Sequence, residues 1–479
     1  MTEFDSSTLF PSPRNQRETW QRVGVELERA LDEARTGPVL PRADNRGFRE
    51  QLARYDFSAP QPLPETVRWI TDARQAGLVQ TTSPRYYGLF NGRAAFAAEV
   101  ADRVAAAFNP QLSVWSHAPA AVDIERHTIS AVSVRLGFGP TAGGHFTSGG
   151  SEANYTALLC ALTRAHAGFD ELGARAFDGP PRVYASRDSH LAWLKIAHQA
   201  GIGRGAIRLI ATDGRGRMDV HALRRAIEAD LRAGDVPVMI AATAGTTNAG
   251  AVDPLRECRM VADEHGLWLH VDAAWGGGLL ASARARGLLE GIEHADSVTI
   301  DAHKWLAATM GTGMFLVRDA TLLARVFRVA ASYMPASDPG LDPYVNSVHW
   351  SRRFAGLRLF TTLATAGWDG LGGHIERCLE LAHQLESRLR ANGWTIVNDT
   401  GMAVVCATPP TASVAVDGII AGLHAKGQHW CSRAMFEDQA VVRACITNST
   451  TNEDDVEALA EALTAALANH GPDGVKSPL

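Results

Sequence analysis

The sequence predicts an α/β protein: a mostly parallel sheet with helices on both faces, a helical arm before it and a small α+β domain after it. Three observations lead there. From about residue 93 to residue 370, short apolar runs alternate with helical patterns. After residue 370 the order changes to helix, two strands, helix, hairpin and helix. The 479 residues also exceed what one ordinary hydrophobic core holds. The expected division is 1–92, 93–370 and 371–479.

Taken in order, residues 15–36 read as an amphipathic helix. Trp20, Val23, Leu27, Leu31 and Ala34 recur at helical spacing, and Gly37-Pro38 stops the run. The Pro-rich stretch DFSAPQPLPETV reads as an extended arm. RVYASR, IRLIAT, PVMIAATAG, LWLHVDAA, SVTIDAH and GMFLVRD are the strand candidates, with helices such as SEANYTALLCALTRAHA and MDVHALRRAIEADLRAG between them. A strand that is apolar on both sides must be covered on both, which implies a parallel sheet between helical layers. Further on, IERCLELAHQLESRLRANG is a helix, WTIVND and MAVVCATPP are strands, and VDGIIAGLHAKG is a helix. A hairpin is expected at FEDQ, and a last helix opens on a Thr451–Asp454 capping box.

Composition narrows the function. A hydrophobic fraction of 46% with 20% charged residues describes a soluble globular chain. The net charge of -6, with acids and bases interleaved, leaves no polyanion-binding surface, so nucleic acid is not an expected partner. MTEFDSSTLFPSPR lacks the basic start and apolar core of a signal peptide, and no apolar run approaches the roughly 20 residues that span a bilayer. Six scattered cysteines without CxxC spacing form neither a disulfide framework nor a zinc site, and the histidines show no metal-ligand spacing. The expected setting is the cytoplasm, with no membrane and no metal.

Four strand-end features carry the chemistry, since ligands of open parallel sheets sit outside the carboxyl ends of the strands. In HFTSGGSEANYTALL a turn feeds a helix; Gly149 and Gly150 admit close backbone approach and Ser151 adds a hydroxyl, a natural phosphate site. Alone, it reads equally well as an ordinary capped turn. LWLHVDAAWGGG ends a strand in Asp272, which by itself is no more than a buried carboxylate capping a loop. SRDSHLAWLK places His190 at a strand-to-helix junction, where a packed histidine is the commoner finding. SVTIDAHKW ends a strand in Asp301, His303 and Lys304, and a solitary lysine there would ordinarily snorkel to water. Together and in this order the four ask for one ligand, pyridoxal phosphate. Its phosphate needs the helix N-terminus, its ring nitrogen a carboxylate, and its aldehyde an amine. A dinucleotide is the weaker reading, because GIGRGA at 201–206 lacks GxGxxG spacing and precedes a strand.

With TSGGSEAN, AGTTNAGAVDP, HVDAAWGG and DAHKW in this order, the chain resembles the group II pyridoxal-phosphate decarboxylases, which include aromatic L-amino-acid and glutamate decarboxylases. The likeness runs from SPRYYGLFNG, near residue 83, to SRRFAGLRLFTTLATAGWDG, near 370, and continues weakly through RACITNSTTNEDDVEAL. It implies the aspartate-aminotransferase fold, pyridoxal 5′-phosphate as cofactor and a homodimer with shared active sites. By resemblance, Lys304 is the lysine that bonds the cofactor and Asp272 the partner of its ring nitrogen. Ala274 and His190 flank the ring, Gly149, Gly150 and Ser151 hold the phosphate, and Thr247 lies near the ring. Asp301 and His303 stand beside the lysine. Tyr333, in FRVAASYMPASDPGLDPYVNSVHW, resembles the mobile-loop tyrosine that protonates the substrate carbon once carbon dioxide has left.

The likeness also places Tyr86, Tyr87, Phe90, Trp115 and Trp350 around the substrate. Aromatic walls with no obvious arginine favour an aromatic or apolar L-amino acid. The chain departs from the family at Ser83, Gly92, Ser113 and Asp301, mostly on the substrate side. The expected activity is decarboxylation to an amine. An aminotransferase or amine-oxidising reaction on the same fold is one alternative; a catalytically silent cofactor-binding or interaction protein is another.

Overall fold

The computed structural model describes residues 9–40, 44–329, 342–411 and 414–468. Seven strands form the large sheet: β1 Gly143–Thr147, β2 Pro181–Ser186, β3 Ile207–Ile210, β4 Val236–Thr243, β5 Trp268–Asp272, β6 Ser297–Asp301 and β7 Gly313–Val317. Their order is β1-β7-β6-β5-β4-β2-β3. β3, β2, β4, β5 and β6 pair in parallel, and β7 runs antiparallel to both β6 and β1.

Alternate residues of the inner strands feed two separate cores. Val183, Ala185, Met239 and Ala241 pack with Leu158, Trp193 and Ile196, whereas Tyr184, Ile240 and Ala242 pack with Leu223, Ile227 and Val261. Successive side chains of a strand point to opposite faces, so this partition is the physical form of a sheet covered on both sides. All five residues of β5, β6 and β7 are buried.

The six strands expected between residues 182 and 319 form where the apolar runs placed them. β1 was read as a turn. Its sequence, GGHFT, opens on two glycines, and Gly144 is required there: at φ 147°, a Cβ would lie 1.9 Å from the Phe315 carbonyl oxygen. Close contact with the neighbouring strand thus erases the side-chain pattern that would have revealed it. In the arm, the stretch read as extended gives way to a helix at Leu63–Gly77, with Pro64 in the first turn, where its missing N–H is no loss.

A long helical element, Gly356–Ala391, breaks at Gly367 (φ 65°, ψ 179°), just before the boundary expected at residue 370. Beyond it β8 Thr395–Ile396, β9 Val404–Thr408, β10 Ser432–Phe436 and β11 Gln439–Cys445 make an antiparallel sheet in the order β10-β11-β9-β8. The FEDQ hairpin turns on Glu437 and Asp438, both at positive φ (49° and 60°), the backbone a two-residue hairpin loop needs. The capping box of the last helix, Glu453–Ala468, sits one residue beyond the expected pair. Asn452 and Asp455 exchange backbone-to-side-chain bonds at 3.0 and 3.1 Å, while the Thr451 hydroxyl donates to the Pro84 carbonyl. Among the described residues, no helix is long and apolar enough to cross a membrane. All six cysteines are free thiols and buried.

Candidate active site

Because β1, β2, β4, β5 and β6 run the same way, their carboxyl ends share one edge of the sheet. There a cavity of about 330 Å³ opens. The loop after β1 brings Gly149, Gly150 and Ser151 to its wall, and the loop after β2 brings His190. Thr247 follows β4, Asp272 and Ala274 close β5, and Asp301, His303 and Lys304 close β6. All the residues expected at the cofactor therefore line one space.

Each is held for a physical reason. The helix Gly150–Ala165 starts without a side-chain cap, leaving its first amides to a ligand. A Cβ on Gly150 would lie 3.0 Å from Asp301 Oδ2 and 3.3 Å from the Ala274 methyl, so glycine lets that helix end settle closely against the strand ends. Ser148 donates to Glu152 Oε2 through both its backbone N–H (2.8 Å) and its hydroxyl (2.7 Å), which shapes the same turn. Asp272 is 5% exposed; its Oδ2 accepts from Asn154 Nδ2 at 2.7 Å and its Oδ1 from the Ala274 N–H at 3.1 Å. His190 Nδ1 accepts from the Ala192 N–H.

Lys304 Nζ lies 3.0 Å from Asp301 Oδ2, and His303 Nε2 is 3.7 Å from the same oxygen. His303 Nδ1 accepts from the Thr312 N–H, which leaves the proton on the nitrogen facing Asp301. Burial holds the His303 imidazole below the ordinary histidine range, against the opposing pull of Asp301. Asp301 Oδ1 is buried and has no partner among the described residues. An uncapped helix end, a carboxylate at a strand end and a lysine amine thus face a common space. They fit a ligand carrying phosphate, a protonated ring nitrogen and a carbonyl.

The substrate side departs more from expectation. Phe90 lines the cavity with φ 44°, an uncommon backbone for a bulky residue, held by stacking on Trp275 at 4.3 Å. Tyr86 and Tyr87 do not line it. Tyr86 stacks on Trp430 and its hydroxyl accepts from the Leu89 N–H; Tyr87 is fully buried, its hydroxyl on the Asp455 carbonyl. Trp115 donates to Asp123, and Trp350 packs on Tyr344; neither lines the cavity. Tyr333 lies outside the described residues. Gly92, an apparent departure, has a local reason: a Cβ would meet Asn448 Cα at 2.8 Å.

Three contributors escaped the sequence reading. Asn154 was present in the SEAN motif, but nothing local marks it as the donor to a strand 118 residues away. Glu152 lines the rim, with His349 Nε2 3.2 Å from its Oε1. Arg443, 2% exposed, stands 4.8 Å over the Phe90 ring and donates to the carbonyls of Thr247 and Gly88. It comes from β11, in the other sheet, and no spacing rule joins it to the site. Among the described residues, no cluster of side chains suits a metal ion.

Comparison with known proteins gives the family. Residues 53–408 match the pyridoxal-dependent decarboxylase conserved domain. The aromatic-L-amino-acid decarboxylase of Bacillus atrophaeus is 30% identical over 386 residues, 78% of this chain and 79% of that protein. The cysteine sulfinic acid decarboxylase of Rattus norvegicus is 34% identical over 336 residues, 68% of this chain and 67% of that one. The crystal structure of Oryza sativa TDC with PLP and tryptamine matches with a TM-score of 0.90 at 25% identity, covering 98% of this chain and 99% of that chain.

Proposed function

The chain belongs to the pyridoxal-dependent decarboxylase family and decarboxylates an amino acid with pyridoxal 5′-phosphate, and on that premise we propose that Lys304 bonds the cofactor and that the substrate is an aromatic or apolar L-amino acid. Bound here, the cofactor supplies an electron sink for the pair released when the Cα–carboxylate bond breaks.

The protein's own groups do the rest. The free amides at Gly149, Gly150 and Ser151 hold the phosphate. Asp272, held in place by Asn154 and the Ala274 N–H, would pair with the ring nitrogen. Ala274, His190 and Thr247 line the same cavity and would hold the ring. Asp301 holds the Lys304 ammonium at 3.0 Å, so the amine has a fixed place and a proton partner within reach. The fixed groups orient the carboxylate that leaves. Tyr333 would return a proton to Cα. These roles are supported by the convergence of the strand ends on one cavity.

The substrate class rests on Phe90. Its ring lines the cavity and covers the Arg443 guanidinium, and no arginine is among the lining residues. An acidic side chain would find no guanidinium exposed to it. One observation favours a second reading: Arg443 Nη2 is buried without a partner among the described residues, which would suit an acidic substrate were Phe90 turned aside.

We also propose a homodimer. Phe96, Val100, Val104 and Phe108 recur every fourth residue on the helix Phe96–Phe108 and are all exposed, an apolar stripe that one subunit leaves uncovered. The break at Gly367 supports the three-part division, and the buried free thiols support a reducing, cytoplasmic setting. A panel of L-amino acids, scored for carbon dioxide and amine, tests the activity and substrate class. Amines from tyrosine, tryptophan or apolar amino acids are expected. Turnover of glutamate or cysteine sulfinate alone would overturn the substrate class and leave the decarboxylase standing.

A further inference from the structure

Behind Asp272 runs a file of buried polar groups that the reaction itself does not use. Trp268 Nε1 donates to Ser297 Oγ at 2.8 Å, and Ser297 Oγ lies 2.8 Å from His270 Nδ1. His270 Nε2 is 3.0 Å from Asn154 Oδ1, and Asn154 Nδ2 donates to Asp272 Oδ2 at 2.7 Å. The Thr299 hydroxyl lies 3.4 Å from Nε2, and the Ser297 backbone also hydrogen-bonds the ring. His270, Ser297 and Thr299 are 0% exposed, Asn154 2% and Trp268 5%.

The ends of the file set its direction. An indole N–H can only donate and a carboxylate can only accept. Read from the carboxylate, the Asn154 N–H₂ donates to Asp272, so the amide Oδ1 accepts from His270 Nε2. Nδ1 of the neutral ring then accepts from the Ser297 hydroxyl, which accepts from Trp268 with a lone pair. That fixes His270 as the tautomer with hydrogen on Nε2, which donates to Asn154 and turns the amide's N–H₂ toward Asp272. Every bond points the same way, and bonds so aligned polarise one another in a dry interior.

We propose that His270 and Asn154 are positioning residues that hold Asp272 oriented and anionic toward the cofactor ring through this one-way chain of hydrogen bonds. The proposal rests on the assignment of Asp272 to the ring nitrogen. Burial depresses His270 to about 4, so at working pH it is a neutral donor and does not compete for the proton. Among the described residues Asn154 is the side-chain donor to Asp272 Oδ2, so losing it leaves this buried carboxylate with the Ala274 N–H. The proton shared with the ring nitrogen would then shift toward Asp272.

The test uses the full chain loaded with pyridoxal phosphate labelled with ¹⁵N in the ring, without substrate. The ring-nitrogen resonance and the cofactor dissociation constant are measured for wild type, Asn154→Ala, His270→Phe, His270→Gln and Asp272→Ala. Asn154→Ala and His270→Phe should move the resonance toward the unprotonated position and weaken cofactor binding about tenfold, the scale of a lost bond to a charged group. His270→Gln, whose amide restores a donor near Nε2, should recover part of both. Should His270→Phe fail to fold, Ser297→Ala keeps the ring and frees its tautomer, and it should shift the resonance in the same direction. If Asp272→Ala moves the resonance while Asn154→Ala and the His270 or Ser297 variant leave it in place, the relay is wrong and Asp272 keeps its role. If Asp272→Ala itself leaves it in place, the assignment of Asp272 fails, and this proposal fails with it.

Discussion

Lys304 Nζ lies 3.0 Å from Asp301 Oδ2, three residues apart at the end of one buried strand. An ammonium so placed is held by a carboxylate that is itself only 4% exposed, which answers why a lysine sits at the floor of a sheet. Lys304→Ala should fold, lose turnover by several orders of magnitude and yield no protein–cofactor adduct on borohydride reduction. Mass spectrometry of the reduced protein checks this, and an adduct at wild-type yield would contradict the assignment.

Asp272→Asn keeps the shape and removes the charge. Cofactor affinity and rate should both fall, the rate by orders of magnitude, because a neutral amide no longer holds the ring nitrogen protonated. Equilibrium dialysis alongside steady-state rates separates the two effects; unchanged rates would refute the role.

Phe90→Ala should uncover Arg443, whose guanidinium lies 4.8 Å from the ring. Discrimination of aromatic over acidic substrates, measured as the ratio of kcat/KM values, is expected to drop at least tenfold, of the order of one stacking or apolar contact. A ratio that stays constant would mean Phe90 does not shape selectivity.

Tyr333→Phe should divert product from amine to aldehyde, since the carbanion would wait for its proton and become open to oxidation. Product analysis under air decides it. Wild-type amine yield without aldehyde would remove Tyr333 from the reaction.

Acid should destabilise the fold through its buried histidines. His145 and His270 are 3% and 0% exposed, and burial lowers them from 6.5 to about 3 and about 4. Between pH 6.5 and 4 the unfolded chain binds protons that the folded chain refuses. Stability is therefore full above pH 6.5 and falls as the pH drops through that window, by about 2 kcal/mol for each histidine at pH 5. His145, whose ring nitrogens have no partner among the described residues, can be tested singly. His145→Phe should make the decline in urea midpoint between pH 7 and 5 visibly shallower.

By itself the sequence determined six of the seven large-sheet strands, the cofactor and the strand-end residues that line the cavity. Each of these rests on a local signal: an apolar run of strand length, a glycine pair before a helix, a lysine or aspartate at the end of a buried strand. Such signals survive without a partner because the backbone geometry around each residue demands that residue. Tertiary structure decided what depends on distant neighbours. β1 was hidden because its glycines answer to the Phe315 backbone, and Tyr87 left the substrate wall because its hydroxyl is committed to Asp455. Arg443 reached the Phe90 ring from the other sheet, and Asn154 and His270 came to stand behind Asp272 only once β5 and the helix Gly150–Ala165 had packed together. Hydrogen bonds and ring contacts between segments more than a hundred residues apart leave no period in a sequence; they exist only where packing has already brought the two surfaces to within a few ångströms.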